Sequence, residues 1–200
     1  VNAQSTPPMR ADARRNRARV LKAAQEAFAA DGLLVPLDEI ARRAGVGAGT
    51  VYRHFPTKEA LFDAVILHRM QSLVEEAREL ALAGRDDQAL FDFVIHLTRE
   101  SAAKKDLIDA LAGAGIDVTA NLAEVNRELR SAIAELLSRG QQIGAVRSDI
   151  DINDLMALLR GVFLAIHQES DDKQLADRVL SVMCDGLRAA ASGSSDRPAR

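Results

Sequence analysis

Thr50, Tyr52, Arg53 and Lys58 lie within nine residues of one another and share one kind of chemistry. They are hydrogen-bond and charge donors suited to phosphate and to base edges. An arginine fork can grip a guanine edge or a phosphate, and a threonine can touch a thymine methyl or a phosphate. Tyr52 and Lys58 suit phosphates on either side, which position a protein on a duplex without reading it. Gly49 lets the backbone come close. Local charge agrees with this reading. Residues 1–60 hold ten Lys and Arg against six Asp and Glu, whereas residues 61–200 hold sixteen against twenty-three. The net charge of −3 therefore conceals a basic N-terminal segment on an acidic body, and phosphate binding depends on local charge. An ordinary solvated helix face is the alternative on charge alone.

Catalytic patterns are lacking. The residues three places before His54, His68, His96 and His167 are Val51, Val65, Phe93 and Leu164, so no Glu-x-x-His pair for a di-metal bundle exists. There is no HExxH and no phosphate-cradling GxxxxGK[ST]. Gly45, Gly47 and Gly49 do not complete GxGxxG and follow a helical pattern instead of a strand. Cys184 is the single cysteine, set among apolar residues in SVMCDGL, and reads as a small core residue. We expect no enzyme, no metal and no cofactor.

The elements that must position the four side chains follow from periodicity. LDEIARRA (37–44) places Leu37, Ile40, Ala41 and Ala44 on one face, with Asp38 and Glu39 in the first turn where negative charge suits the helix dipole. Gly45-Val46-Gly47 predicts a tight turn, and AGTVYRHF (48–55) a helix of about two turns stopped by Pro56. With Val51 at 0° and about 100° per residue, Phe55 falls at about 40° and Ala48 at about 60°, an apolar face. Gly49, Arg53 and Thr50 fall at about 160°, 200° and 260°, facing away, with Tyr52 and His54 at the boundary. Helix, glycine bend, short helix is the arrangement of a helix-turn-helix, whose second helix enters the major groove. A solvated helical hairpin fits the same bare pattern.

The rest of the chain reads as further helices. A first helix over 11–30 has an apolar stripe of Val20, Ala23, Ala24, Ala27 and Phe28, and its beginning carries Arg10, Arg14, Arg15, Arg17 and Arg19. Positive charge there opposes the dipole, a cost that an external anion relieves. Thr57 caps a fourth helix running to about Ala83. Later helices are expected near 86–102, 105–112, 118–140, 152–169 and 172–190, with breaks at Gly84, Gly113, Gly115, Gly140 and Gly144 and caps at Asp151 and Asp171. Residues 1–9 and 192–200 read as frayed tails. Six Phe, one Tyr and no Trp among abundant Ala, Leu, Arg and Glu favour helices over strands, and nothing alternates for long enough to build a sheet. No apolar run approaches the ~20 residues of a membrane span, and the first twenty residues lack the apolar core of a secretory signal. The expectation is a cytoplasmic, nucleoid-associated protein of 200 residues, in one large domain or two small ones.

The string GVGAGTVYRHFPTKEALFDAV then becomes specific. With Ile40, Ala41, Ala44, Gly45, Val46, Gly49, Thr50, Val51, Tyr52, Phe55, Lys58 and Leu61 it resembles the N-terminal domain of TetR-type (tetracycline-repressor-like) transcriptional regulators, and RVLKAAQEAFAADG looks like that family's first helix. The resemblance covers about residues 14–65. It implies an all-α regulator of about nine helices. A three-helix DNA-binding head would span 10–56, with its motif at about 36–55. A helical domain over 57–191 would dimerise and usually hold a small ligand. Carried onto this chain, Thr50, Tyr52 and Lys58 match DNA-contacting positions, and the base-reading positions lie around Ala48, Gly49, Arg53 and His54. Pro36 and Gly47 depart from the pattern, since the family often has Thr at the first and Ser or Thr at the second. Arg14, Arg17 and Arg43 are candidates to replace the phosphate contacts so lost.

The resemblance also implies a dimer built by the last two long helices. Leu155, Leu158, Leu159, Val162, Phe163 and Ile166 make 152–169 apolar over more than one stripe, as a helix buried on two sides requires, with Gly161 for close approach. A purely intrachain core helix is the alternative. The candidate interface is Leu155, Leu158, Leu159, Val162 and Ile166. Phe91, Phe93, His96, Phe163 and His167 are the less common residues available to a ligand pocket, each reading more readily as plain core or surface than as a ligand contact, and 111–118 (LAGAGIDV) could border an entrance. The implied function is a repressor that binds a palindromic operator as a dimer and is released by a small effector. A helical module that binds protein instead would show no salt-dependent affinity for DNA.

Overall fold

The computed structural model describes residues 8–32, 34–83, 86–99, 122–168 and 173–190. They form eight α-helices: α1 Pro8–Asp31, α2 Leu37–Ala44, α3 Ala48–His54, α4 Lys58–Ala83, α5 over 89–99, α6 Leu122–Gln142, α7 Ile152–Gln168 and α8 Lys173–Leu187. No strand occurs among the described residues, only an isolated antiparallel bridge between Val146 and Arg188. The expected helix over 105–112, the segment 111–118, residues 1–7 and 192–200 of the two expected tails, Gly84, Gly113, Gly115 and Asp171 lie outside the described residues, whereas residues 8 and 9, read as tail from the sequence, open α1.

The chain divides into two compact units. One holds the described residues up to Ser72 together with 122–125, the other those from Leu73 to 99 and from Asn126 onward. In the first, α1 packs on α2 and α3, and α2 on α3. The stripe Val20, Ala23, Ala24, Ala27 and Phe28 is buried there with Ile40, Ala41, Val51, Phe55, Leu61 and Phe62. The rings of Phe28 and Phe62 meet at 5.7 Å with a tilt of 54°, tying α1 to the beginning of α4.

In the second unit the core is Phe91, Phe93, Val94, Ile133, Leu136, Leu137, Leu155, Leu159 and Leu187, with Cys184 buried beside them. Burial pushes the Cys184 thiol up from its ordinary value, which fits the core role. The chain after α8 is clasped to the α6–α7 connection. Arg147 N–H donates to Leu187 O at 3.0 Å and Ala189 N–H to Ala145 O at 3.0 Å. The Arg188 guanidinium lies 4.3 Å from the centre of the Phe91 ring and donates to Gln88 Oε1 at 3.0 Å.

Capping follows the sequence in two places. Thr57 Oγ1 accepts from Ala60 N–H at 3.1 Å. Asp151 Oδ1 accepts from the N–H groups of Asn153 and Asp154 at 2.6 and 3.0 Å, while Asp154 reaches back to Asp151 N–H at 2.9 Å, a reciprocal capping box. Gly140 differs from expectation. It does not break α6, which continues to Gln142. It is glycine because the following turn folds back onto it: a Cβ there would meet Val146 Cγ2 at 2.7 Å, and Gly140 O accepts from both Ala145 and Val146 N–H.

Candidate nucleic-acid interface

The α2–α3 pair is built from local rules. Pro36 precedes α2 and offers no side-chain cap, so Asp38 and Glu39 in the first turn provide the negative charge that the dipole favours. Gly45 ends α2 at φ +62°, the left-handed conformation that an L side chain rarely adopts. Its N–H donates to Arg42 O and Val46 N–H donates to Ala41 O, which closes the helix end. Gly47 begins α3 without a side-chain cap, its carbonyl accepting from Thr50 N–H at 2.8 Å. Both departures at Pro36 and Gly47 thus leave their helices without side-chain caps.

Val51 and Phe55 are buried and set the roll of α3. Gly49, Tyr52 and Arg53 are exposed, and Thr50 and His54 half-buried. Ala48 is exposed rather than part of the apolar face, because the first residue of α3 projects from the bend before the helix reaches its neighbours. Tyr52 keeps 46% of its surface accessible. Lys58 opens α4 half-buried, and burial pulls its ammonium below the ordinary value while Glu59 raises it. A cation at the beginning of a helix opposes the dipole, so an anion brought to Lys58 is favoured on both counts.

The basic residues of α1 fall into different roles. Arg14 is exposed. Arg15 pairs with Asp12 in its own helix. Arg17 lies over the Phe55 ring, 5.5 Å from its centre, and Arg19 Nη2 donates to Gly45 O at 3.0 Å. Arg43 is held by carboxylates: its guanidinium meets Asp31 at 2.7 Å and Glu39 at 2.8 Å, while Arg42 donates twice to Glu39 at 2.7 Å. Hydrogen bonds from Arg42 and then Arg43 hold the Glu39 carboxyl down at about 2. Sequence periodicity located the basic stretch but not the Arg17–Phe55 and Arg19–Gly45 contacts, because both depend on where α1 crosses the bend.

Elsewhere, Phe91 and Phe93 are buried in the second unit, and Phe163 is half-buried. His96 Nδ1 lies 2.9 Å from Glu76 Oε2. The side chain of His167 lies outside the described residues. A surface groove of about 580 Å³ is lined by Arg78, Leu82, Ser131, Glu135, Ser138 and Arg139 among others, and by none of the five aromatic and histidine candidates. Of the candidate interface residues, Leu155, Leu159 and Val162 are buried within the chain itself, and Ile166 is half-buried. Among the described residues, the large apolar side chains exposed on α7 and α8 are Leu158 at 45%, Leu164 at 60% and Val182 at 72%. Sequence reading missed Leu164 and Val182, since an all-round apolar helix does not reveal which side its own chain covers. No cluster of three or more His, Cys, Asp or Glu suited to a metal occurs among the described residues, nor any helix long and apolar enough to cross a membrane.

Comparison with known proteins matches this geometry. Residues 20–65 fit the model of the bacterial regulatory proteins of the tetR family, and residues 85–189 that of the SbtR-like transcriptional regulator C-terminal domain. The crystal structure of a TetR transcription regulatory protein from Mycobacterium vanbaalenii is 46% identical, with a TM-score of 0.75, covering 91% of this chain and 100% of that one. The HTH-type transcriptional regulator UidR of Escherichia coli is 25% identical over 92% of this chain and 95% of its own. The HTH-type transcriptional repressor KstR2 of Rhodococcus jostii is 27% identical over 86% and 90%. With an all-helical fold, a helix-turn-helix at 37–54 and both halves matched, the chain belongs to the TetR family of transcriptional regulators.

Proposed function

We propose that the chain is a ligand-responsive repressor that binds a palindromic operator as a homodimer, with α3 in the major groove. The observation that carries the reading is the roll of α3: Val51 and Phe55 are buried while Gly49, Tyr52 and Arg53 stand exposed. Ala48, Gly49, Arg53 and His54 face the base edges in this reading. Thr50, Tyr52 and Lys58 grip phosphates, Arg14 and Arg17 add phosphate attraction from the flank, and Arg43 does so only in part, its charge being shared with Asp31 and Glu39. One short helix reads only a few base pairs, so two heads on a two-fold axis are needed for a specific site.

Dimerisation is assigned to α7 and α8. Of the residues expected there, Leu158 and Ile166 can still meet a partner, joined by Leu164 and Val182. Leu155, Leu159 and Val162 serve that face from beneath by fixing the roll of α7. An effector site is assigned to the second unit, among Phe91, Phe93, His96, Phe163 and His167. An effector that prefers the dimer with its heads displaced weakens DNA binding by that preference, typically ~1–3 kcal/mol. α4, uninterrupted from Lys58 to Ala83, is the lever in this scheme. Selection of bound DNA from a random pool tests the reading. A palindrome with half-sites on one face of the duplex is expected, and recovery of unrelated sequences would refute it. A ligand screen by thermal shift tests the effector.

A further inference from the structure

Among the described side chains of α1, Arg17 is the cation that touches the end of the recognition helix. Its guanidinium lies 5.5 Å from the centre of the Phe55 ring, and Phe55 is both the buried anchor of α3 and the residue at its C-terminal end. α3 has seven residues and no side-chain N-cap, so its position depends on tertiary contacts rather than on its own helicity. A guanidinium held over a ring in a cation–π contact still has N–H donors to offer to another partner. Among the described residues no acceptor is paired with those donors, and the Arg17 side chain is exposed. A positive charge near the end of α3 also suits that helix's dipole.

We infer that Arg17 is a positioning residue for sequence reading: its cation–π contact braces Phe55 and thereby α3, while its N–H donors take a DNA phosphate, so backbone contact and helix register are set by one side chain. The inference rests on the reading of α3 as the DNA-facing helix and adds that charge alone is insufficient at this position. Lysine keeps the charge but concentrates it in a compact, strongly hydrated ammonium without the planar fork.

The test uses the full chain. A duplex is recovered from a randomised pool with the wild type, and affinity for it and for a scrambled duplex is measured over a salt series. Arg17→Ala is expected to make log K against log salt shallower by about 0.9 per bound chain on both duplexes. Arg17→Lys is expected to keep the slope but to lose about two- to fivefold of the preference for the selected duplex. Phe55→Leu, which keeps an apolar side chain and removes the ring, should reproduce that loss, and adding Arg17→Lys to it should change nothing further. Arg17→Lys alters only an exposed side chain, so its result stands even where Phe55→Leu fails to fold. An unchanged preference in Arg17→Lys, or an unchanged slope in Arg17→Ala, would overturn the inference and leave the DNA-binding reading intact. Failure of the wild type to recover any duplex would overturn that reading, and the inference with it.

Discussion

Arg19 donates through Nη2 to the carbonyl oxygen of Gly45 at 3.0 Å, and the same nitrogen occupies the space that a Cβ on Gly45 would need, 2.6 Å away. The bend between α2 and α3 is thus fixed twice, by a positive φ and by a cation from α1. Gly45→Ala should destabilise the head by at least the ~1–2 kcal/mol that a left-handed L-residue costs. Part of the loss should return in the Arg19→Ala background, where the clash is gone. Urea titrations of the two single variants and the double variant measure this. Equal losses in both backgrounds would show that Arg19 yields freely.

Phe55 closes the apolar face of α3. Phe55→Ala should cost ~3–5 kcal/mol, as expected for a buried aromatic, and weaken DNA binding without removing a DNA contact. Chemical denaturation reads this directly. A wild-type midpoint would mean that α3 is held in some other way.

Tyr52 and Lys58 should behave alike and Arg53 differently. Tyr52→Ala and Lys58→Ala are expected to weaken binding to selected and random duplexes by similar factors, because phosphate contacts carry no sequence information. Arg53→Ala should cost ~1–3 kcal/mol on the selected duplex and relax its preference at one base position. Equal loss on both duplexes would make Arg53 a phosphate contact.

Acid should act on the head through Glu39. The folded chain keeps this carboxyl ionised down to about 2, whereas an unfolded chain protonates it near 4.5. Its stabilising share is therefore complete above pH 4.5 and is lost as pH falls toward 2. Glu39→Gln should flatten that part of the stability-against-pH curve. A variant with the wild-type acid profile would show that Arg42 and Arg43 do not stabilise the head through Glu39.

Leu164 and Val182 test the assembly. Leu164→Arg with Val182→Arg should convert a dimer to a monomer in sedimentation and abolish the dependence of melting temperature on protein concentration. A dimer that survives both charges would move the interface elsewhere.

The head was legible in the sequence to within a few residues, for a physical reason. Its stripe from Val20 to Phe28, its turn at Gly45 and the burial of Val51 and Phe55 all follow from short-range periodicity and backbone sterics. What periodicity misjudged was Ala48, whose exposure depends on the bend before it, and Gly140, whose missing side chain answers to Val146 across a turn. The apolar circumference of α7 was legible too, but its division was not. Leu155 and Leu159 turn inward and Leu158 and Leu164 outward because of how α8 and the core lie against them, which no local pattern encodes. Arg17 and Arg19 looked alike as sequence, and only the crossing of α1 over the bend gave them different partners.

Tyr52 carries one more consequence. The chain has a single tyrosine and no tryptophan, and that ring stands 46% accessible on α3. The protein therefore carries its own optical reporter: its tyrosine emission comes from one ring on α3, so a change of surroundings at that helix can be followed without a label.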